Sequence, residues 1–239
     1  MKILAIETAT RCQGVAILEE TKILAERVHG ECASHTRLLL PTIDELLQSL
    51  QLTLRNMDGL AVSMGPGSFT GLRVGLSTAM AMRLATGLPI VGVSTLEALS
   101  WNVRGIKGRI CPIIRSRVGE VYWAQFEWCG DELHRLAQDL VGSLEQCAGS
   151  ITDPVMVLGD GWEVNKTALT TLLGSRAIAV DQEKQQPSAA SVARASEQQF
   201  RVKNFLPLGA SPTYVLPSQA EVQWNQRNEP AVKNASTSR

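Results

Sequence analysis

Met64-Gly65-Pro66-Gly67-Ser68-Phe69-Thr70-Gly71-Leu72-Arg73-Val74-Gly75 carries more structural information than any other stretch of this 239-residue chain. The apolar run at 59–64 enters it as a strand, a glycine-rich turn follows at 65–68, and a helix opens near Phe69 and runs to about Ala85. Gly87 stands where a left-handed residue ends a helix. Backbone amides at such a helix start hold phosphates or carboxylates in other proteins. A Walker-type loop needs Gly-Lys-Ser/Thr at its end, and no lysine lies in this segment. The dinucleotide-binding spacing is absent too, because Gly67 is followed next by Gly71. Three readings stay open for Gly65, Gly67 and Ser68: a tight strand-to-helix connection, an anion site, or a partner interface. Within the helix, Gly71, Gly75 and Ala79 recur at four-residue spacing and form a strip of small side chains. An interior glycine costs roughly 1 kcal/mol relative to alanine, so a close neighbour is expected. That neighbour is either the chain's own sheet or a helix of a second subunit.

Outward from this segment, the first half reads as one sheet with helices. Strands are expected at 2–7, 14–18 and 23–28, the last two joined by a polar turn at 19–22. Leu38, Leu39, Ile43, Leu46, Leu47 and Leu50 fall on one helical face, with Ser34 as a candidate cap. Pro41 lies inside that pattern and predicts a kink or a helix that begins there. A strand at 88–93 follows, then a helix to about Val103 capped by Ser94 or Thr95. The order β-β-β-α-β-α-β-α closes one lobe over residues 1–104. The second half predicts strands at 109–114, 120–128 and within 131–140, a short helix at 144–148, and a strand at 155–158 ending in Gly159-Asp160-Gly161. Helices at 165–173 and 189–200, the latter capped by Ser188, complete a second lobe over 105–219. Residues 220–239 are polar and aperiodic and read as a disordered tail.

Composition excludes several function classes. Acids and bases number 23 each, so no global field draws the chain to nucleic acid or to an anionic membrane. No apolar run reaches the ~18–20 residues of a membrane helix, and the start lacks a secretory signal, so a cytoplasmic protein is expected. Cys12, Cys32, Cys111, Cys129 and Cys147 are widely spaced and form no CxxC pair, which favours free thiols over a disulfide or metal framework. His29, His35 and His134 lie too far apart for a two-histidine helical metal site. Glu7, at the end of the first strand, is either a nucleotide-site acid or a polar strand terminus. Arg115 and Arg117 sit in a charged turn before Glu120-Val121-Tyr122-Trp123. No nucleophile elbow, kinase loop or cysteine–histidine pairing is present.

Five stretches carry a family resemblance: Ile3-Leu4-Ala5-Ile6-Glu7-Thr8-Ala9-Thr10, the Gly-Pro-Gly-Ser-Phe-Thr-Gly-Leu-Arg run at 65–73, Gly92-Val93-Ser94-Thr95-Leu96, Gly119-Glu120-Val121-Tyr122, and Pro212-Thr213-Tyr214. Over residues 1–216 the chain resembles the TsaB (YeaZ) family, accessory subunits for threonylcarbamoyladenosine (t6A) at position 37 of tRNA. The resemblance implies an α/β, two-lobed actin/sugar-kinase/Hsp70-like fold with a duplicated mixed β-sheet core flanked by helices. It implies a catalytic paralogue, TsaD, whose metal histidines align with Thr95 and Leu99, so no metal or catalytic residue is expected in this chain. It implies no cofactor of its own, with ATP and metal on partner subunits, a TsaE-like ATPase in the cycle, a possible homodimer, and tRNA contact only through the complex. Docking is expected through the first-lobe helices at Leu39, Ile43, Leu46, Phe69, Gly71, Leu72, Gly75 and Ala79. Glu7, Gly65, Gly67 and Ser68 would be vestigial nucleotide contacts. Arg115 replaces an acid of the family pattern, while Arg117 is retained. A small-molecule kinase or nucleotide-binding enzyme of the same superfold is the alternative.

Overall fold

A computed structural model describes residues 1–30 and 35–215. The first sheet comprises β1 (Lys2–Glu7), β2 (Gln13–Glu19), β3 (Lys22–His29), β4 (Gly59–Gly65) and β5 (Ile90–Ser94), in the order β3-β2-β1-β4-β5. β3, β2 and β1 form an antiparallel meander, and β4 and β5 add in parallel on the other side. Both faces of β1 and β4 are covered, which explains their unbroken apolar runs. Helices α1 (His35–Ser49) and α2 (Phe69–Thr86) cover one face, where Leu4, Ile6, Leu60 and Val62 meet Leu39, Ile43, Leu46 and Leu76.

α2 is delimited as its sequence requires. The Ser68 hydroxyl accepts the Gly71 amide at 3.2 Å, and Gly87 ends the helix at φ +78° with its amide on the Arg83 carbonyl. α1 runs through Pro41 without interruption. The Thr42 hydroxyl donates to the Leu38 carbonyl and contacts His29 Nε2 across to β3. Ser34, the cap expected for α1, lies outside the described residues, as do residues 220–239.

The second sheet repeats this plan. β6 (Gly108–Arg115) takes the place of β1, with antiparallel partners β7 (Glu120–Trp123) and β8 (Phe126–Cys129) on one side and the parallel β11 (Val155–Leu158) and β12 (Ala177–Ala179) on the other. β9 (Glu132–Arg135) pairs with β8, and β10 (Leu140–Ser143) pairs with β7. The single strand expected at 120–128 is therefore two, split at Ala124 and Gln125. β7 pairs with the end of β6 and β8 with its start, and this change of position breaks the run. The Gln125 carbonyl accepts the Leu136 amide there. α4 (Leu144–Gly149) and α6 (Lys166–Leu173) pack beneath this sheet. Gly159-Asp160-Gly161 ends β11 as expected, and Asp160 starts the short helix α5 (Asp160–Val164). Cys111 and Cys147 are free thiols that meet in this core, where their mutual hydrogen bond and burial push the Cys111 thiol well above its ordinary range.

Two elements tie the halves together. α3 (Thr95–Ser100), shorter than expected and followed by a 3₁₀ turn at Trp101–Val103, lies between the sheets, with Ala98 in the core of the first and Leu96 and Leu99 in the core of the second. α7 (Ala189–Arg201), from the second half of the sequence, packs on the open face of the first sheet. Phe200 fills the space over Gly59, where a Cβ would fall 2.2 Å from its ring. Past α7 the chain returns along the first sheet as a strap, with the Leu206 amide on the Ile90 carbonyl and the Thr213 amide on the Met64 carbonyl.

Candidate functional site

The ends of β1, β4 and β5 lie side by side, and Glu7 falls next to Ser63 in register. Glu7 is buried, and Oε1 accepts the Ala9 amide at 2.6 Å while Oε2 has no hydrogen-bond partner. Burial pushes its carboxyl from an ordinary 4.5 up to about 7. The Ala9 amide, and to a lesser degree the neighbouring Ser63 hydroxyl in a geometry too loose for a full hydrogen bond, pull the other way.

The glycine-rich loop is packed against the chain that follows Glu7. The Ser68 amide donates to the Ala9 carbonyl at 2.7 Å, and the Thr8 hydroxyl donates to the Gly71 carbonyl at 2.8 Å. A Cβ on Gly67 would meet the Ala9 carbonyl oxygen at 2.3 Å, and one on Gly71 would meet the Thr8 carbonyl oxygen at 2.0 Å. Gly65, at φ +111°, leaves room for the Thr213 carbonyl of the strap. The Ser68 and Gly71 amides are engaged within the chain. The loop is a tight strand-to-helix connection.

Thr95 and Leu99 lie on α3, fully buried. Leu99 packs with Ile110, Ile114, Phe126, Trp128 and Leu158 of the second sheet, and its Cδ2 lies against Gly159. A buried hydroxyl and a leucine do not fit a metal ion, and the described residues contain no cluster of three or more His, Cys, Asp or Glu able to hold one. The seam around α3 is bolted on two sides. Asn102 Nδ2 donates to the carbonyls of Lys184 and Gln186, and its Oδ1 accepts the Ser191 hydroxyl. The Ser94 hydroxyl donates to Asp139, and Glu97 pairs with Arg135. Arg115 lies at the far end of this seam, where its amide and Nε both donate to Asp160 at 2.9 Å. Asp160 thus gives Arg115 a local carboxylate partner.

The expected docking residues need correction. Leu39, Ile43, Leu46, Leu72 and Ala79 are buried against the first sheet. A Cβ on Gly75 would fall 2.3 Å from the Thr8 hydroxyl, so the small-residue strip serves close approach to β1 and β4, not to a second subunit. Of that set, only Phe69 is exposed. The outward row of α2 lies two residues out of phase with the strip, at Phe69, Arg73, Ser77, Ala81 and Leu84. Leu84 is 77% exposed, and Leu40 of α1 is 59% exposed. At the start of the row, the Arg73 guanidinium lies 4.0 Å over the Phe69 ring and donates to the Tyr214 hydroxyl at 2.9 Å, while Phe69 and Tyr214 stack at 5.2 Å. Sequence reasoning missed Leu40, Arg73, Leu84 and Tyr214 as surface residues. Their phase opposite Gly71 and Gly75 was the available signal, once the glycines are known to face inward.

Over residues 22–213 the chain matches the family model described as TsaD: tRNA N6-adenosine threonylcarbamoyltransferase. It is 32% identical to the tRNA threonylcarbamoyladenosine biosynthesis protein TsaB of Escherichia coli (strain K12), over 68% of this chain and 73% of that one. It is 27% identical to the protein of the same name from Bacillus subtilis (strain 168), over 94% and 98% of the two chains. The structure matches YeaZ from Pseudomonas aeruginosa with a TM-score of 0.78 at 24% identity, covering 89% of this chain and 99% of that one. The duplicated sheets and helix-lined faces define an α/β protein of the actin/sugar-kinase/Hsp70 superfold. Within it, the chain belongs to the family of the TsaD model and, inside that family, to the TsaB proteins.

Proposed function

We propose that this chain is a non-catalytic docking subunit for formation of N6-threonylcarbamoyladenosine at position 37 of tRNAs reading ANN codons, and that it binds and activates a TsaD-like paralogue. One observation carries the reading. Leu99, at the position of a metal histidine in the paralogue, is packed into the core of the second sheet. A chain built this way offers its partner a surface. That surface is the outer face of α1 and α2, where Leu40, Phe69 and Leu84 are exposed.

Catalytic metal, ATP and tRNA are supplied by or reached through the partners, a TsaD-like transferase and a TsaE-like ATPase. The balanced charge of the chain agrees with indirect tRNA contact. The same outer face would serve a homodimer when the paralogue is absent. The nucleotide-enzyme alternative has less support, because two of the loop amides are engaged by the Ala9 carbonyl and the Ser68 hydroxyl.

The test is t6A formation reconstituted from the transferase, the ATPase, tRNA and this chain. Omitting the chain is expected to abolish the activity. Leu40→Asp is expected to weaken complex formation by about tenfold or more, since an interface anchor is worth about 2 kcal/mol, with an unchanged melting profile. Equal rates with and without the chain would refute the reading, as would turnover by the chain alone.

A further inference from the structure

α2 carries two arginines and no acid. Arg83 spends a guanidinium donor on the Leu206 carbonyl of the strap. Arg73 is held differently, with its guanidinium 4.0 Å over the Phe69 ring and its Nε donating to the Tyr214 hydroxyl at 2.9 Å. That bond uses Nε alone and leaves the donors on Nη1 and Nη2. Among the described residues no carboxylate pairs with them. Apolar grooves open on both sides of this exposed side chain. One, of about 400 Å³, runs past Leu40 and Phe69, and the other, of about 470 Å³, runs past Leu84 and Pro212. Arg73 and Ser77 line both.

We propose that Arg73 is the charged anchor of the docking face, and that it receives a carboxylate of the TsaD-like paralogue flanked by apolar side chains seated in the two grooves. This rests on the docking reading and adds to it the chemistry of the segment that docks. Charge complementarity selects the anion. A purely apolar partner laid across Arg73 would strand its free donors away from water, and a cationic one would be repelled. A carboxylate takes two parallel N–H bonds from the planar edge of a guanidinium, a geometry that an ammonium group does not offer. Phe69 and Tyr214, stacked at 5.2 Å, hold that edge in place before the partner arrives. Little side-chain freedom is then lost on docking. Arginine and aromatic side chains inside an apolar patch are the residues that carry most of an interface's free energy.

Calorimetric titration of the full chain with the paralogue tests it, together with single carboxylate-to-amide changes over the paralogue's surface. Arg73→Met keeps an apolar stem beside Phe69 and removes the donors, and it is expected to weaken the complex by about thirtyfold or more. Arg73→Lys is expected to restore only part of that loss. One amide change on the paralogue is expected to cost a similar factor by itself and to add nothing against Arg73→Met, a coupling that a disturbed fold does not produce. A complex that ignores Arg73→Met, full affinity with Arg73→Lys, or the lack of any coupled carboxylate overturns the inference and leaves the docking reading standing. So does a loss confined to self-association of this chain, which would seat a second copy on Arg73. No complex with the unmutated chain would instead refute the docking reading, and this inference with it.

Discussion

Replacing Glu7 with glutamine is expected to stabilise the chain above neutral pH and to remove the fall in stability that Glu7 contributes between pH 4.5 and 7. In the folded chain the Glu7 carboxyl holds its proton up to about pH 7, whereas an unfolded glutamate releases it near 4.5. Between these values the folded state binds a proton that the unfolded state has lost. Stability therefore falls as pH rises through this window and stays low above it, the reverse of a salt-bridged carboxylate. A shift of this size corresponds to about 3 kcal/mol. Glutamine keeps the oxygen that accepts the Ala9 amide and puts a neutral donor where Oε2 has no partner. For a chain of this length, about 3 kcal/mol is a gain of roughly 6–12 °C in melting temperature. Melting curves of both proteins at pH 5 and pH 8 check it, with a large gap at pH 8 and a small one at pH 5. Parallel curves would show that Glu7 is not the buried acid described here.

Gly75→Arg is expected to prevent folding, while Ser77→Arg, two residues further along the same helix, is expected to leave the fold intact. The nearest atom to a Cβ at residue 75 is the Thr8 hydroxyl at 2.3 Å, with Val62 and Ile6 of the first sheet behind it. An arginine there would break the Thr8 hydrogen bond to Gly71 and bury an unpaired charge between α2 and β1. Overpacking costs about 1–3 kcal/mol, and an uncompensated buried charge about 3–5 kcal/mol more. Together these approach the whole stability of an ordinary domain, about 5–15 kcal/mol. Ser77 lines the outer grooves, where an added side chain meets solvent. Circular dichroism and solubility of the two variants distinguish the inward row from the outward one. A well-folded Gly75→Arg chain would contradict the packing of α2.

These two rows show what the sequence made legible and what it did not. Periodicity located α1 and α2, and the spacing of Gly71, Gly75 and Ala79 announced a close neighbour, but only the carbonyl and hydroxyl of Thr8 show which neighbour it is. Leu39, Ile43 and Leu46 read equally well as core and as interface, because a helical face carries no label for what covers it. The glycine-rich loop was likewise ambiguous between an anion cradle and a turn. Its amides are engaged by Ala9 and Ser68, contacts that bridge about sixty residues or depend on local side-chain direction. α7 was legible as a helix with a Ser188 cap, yet nothing local places it on the first sheet. That placement rests on Phe200 over Gly59, across most of the chain length. The split between β7 and β8 was hidden for a similar reason, since Glu120 to Trp128 is uniformly strand-like and only pairing with β6 divides it.

The central claim is that this chain acts by presenting the outer face of α1 and α2 to a TsaD-like paralogue. Light scattering on a mixture of the two purified proteins tests it most directly. A one-to-one complex with the unmutated chain, lost with Leu40→Asp and retained with Glu7→Gln, is the predicted result. No complex with the unmutated chain, or one indifferent to Leu40→Asp, would contradict it.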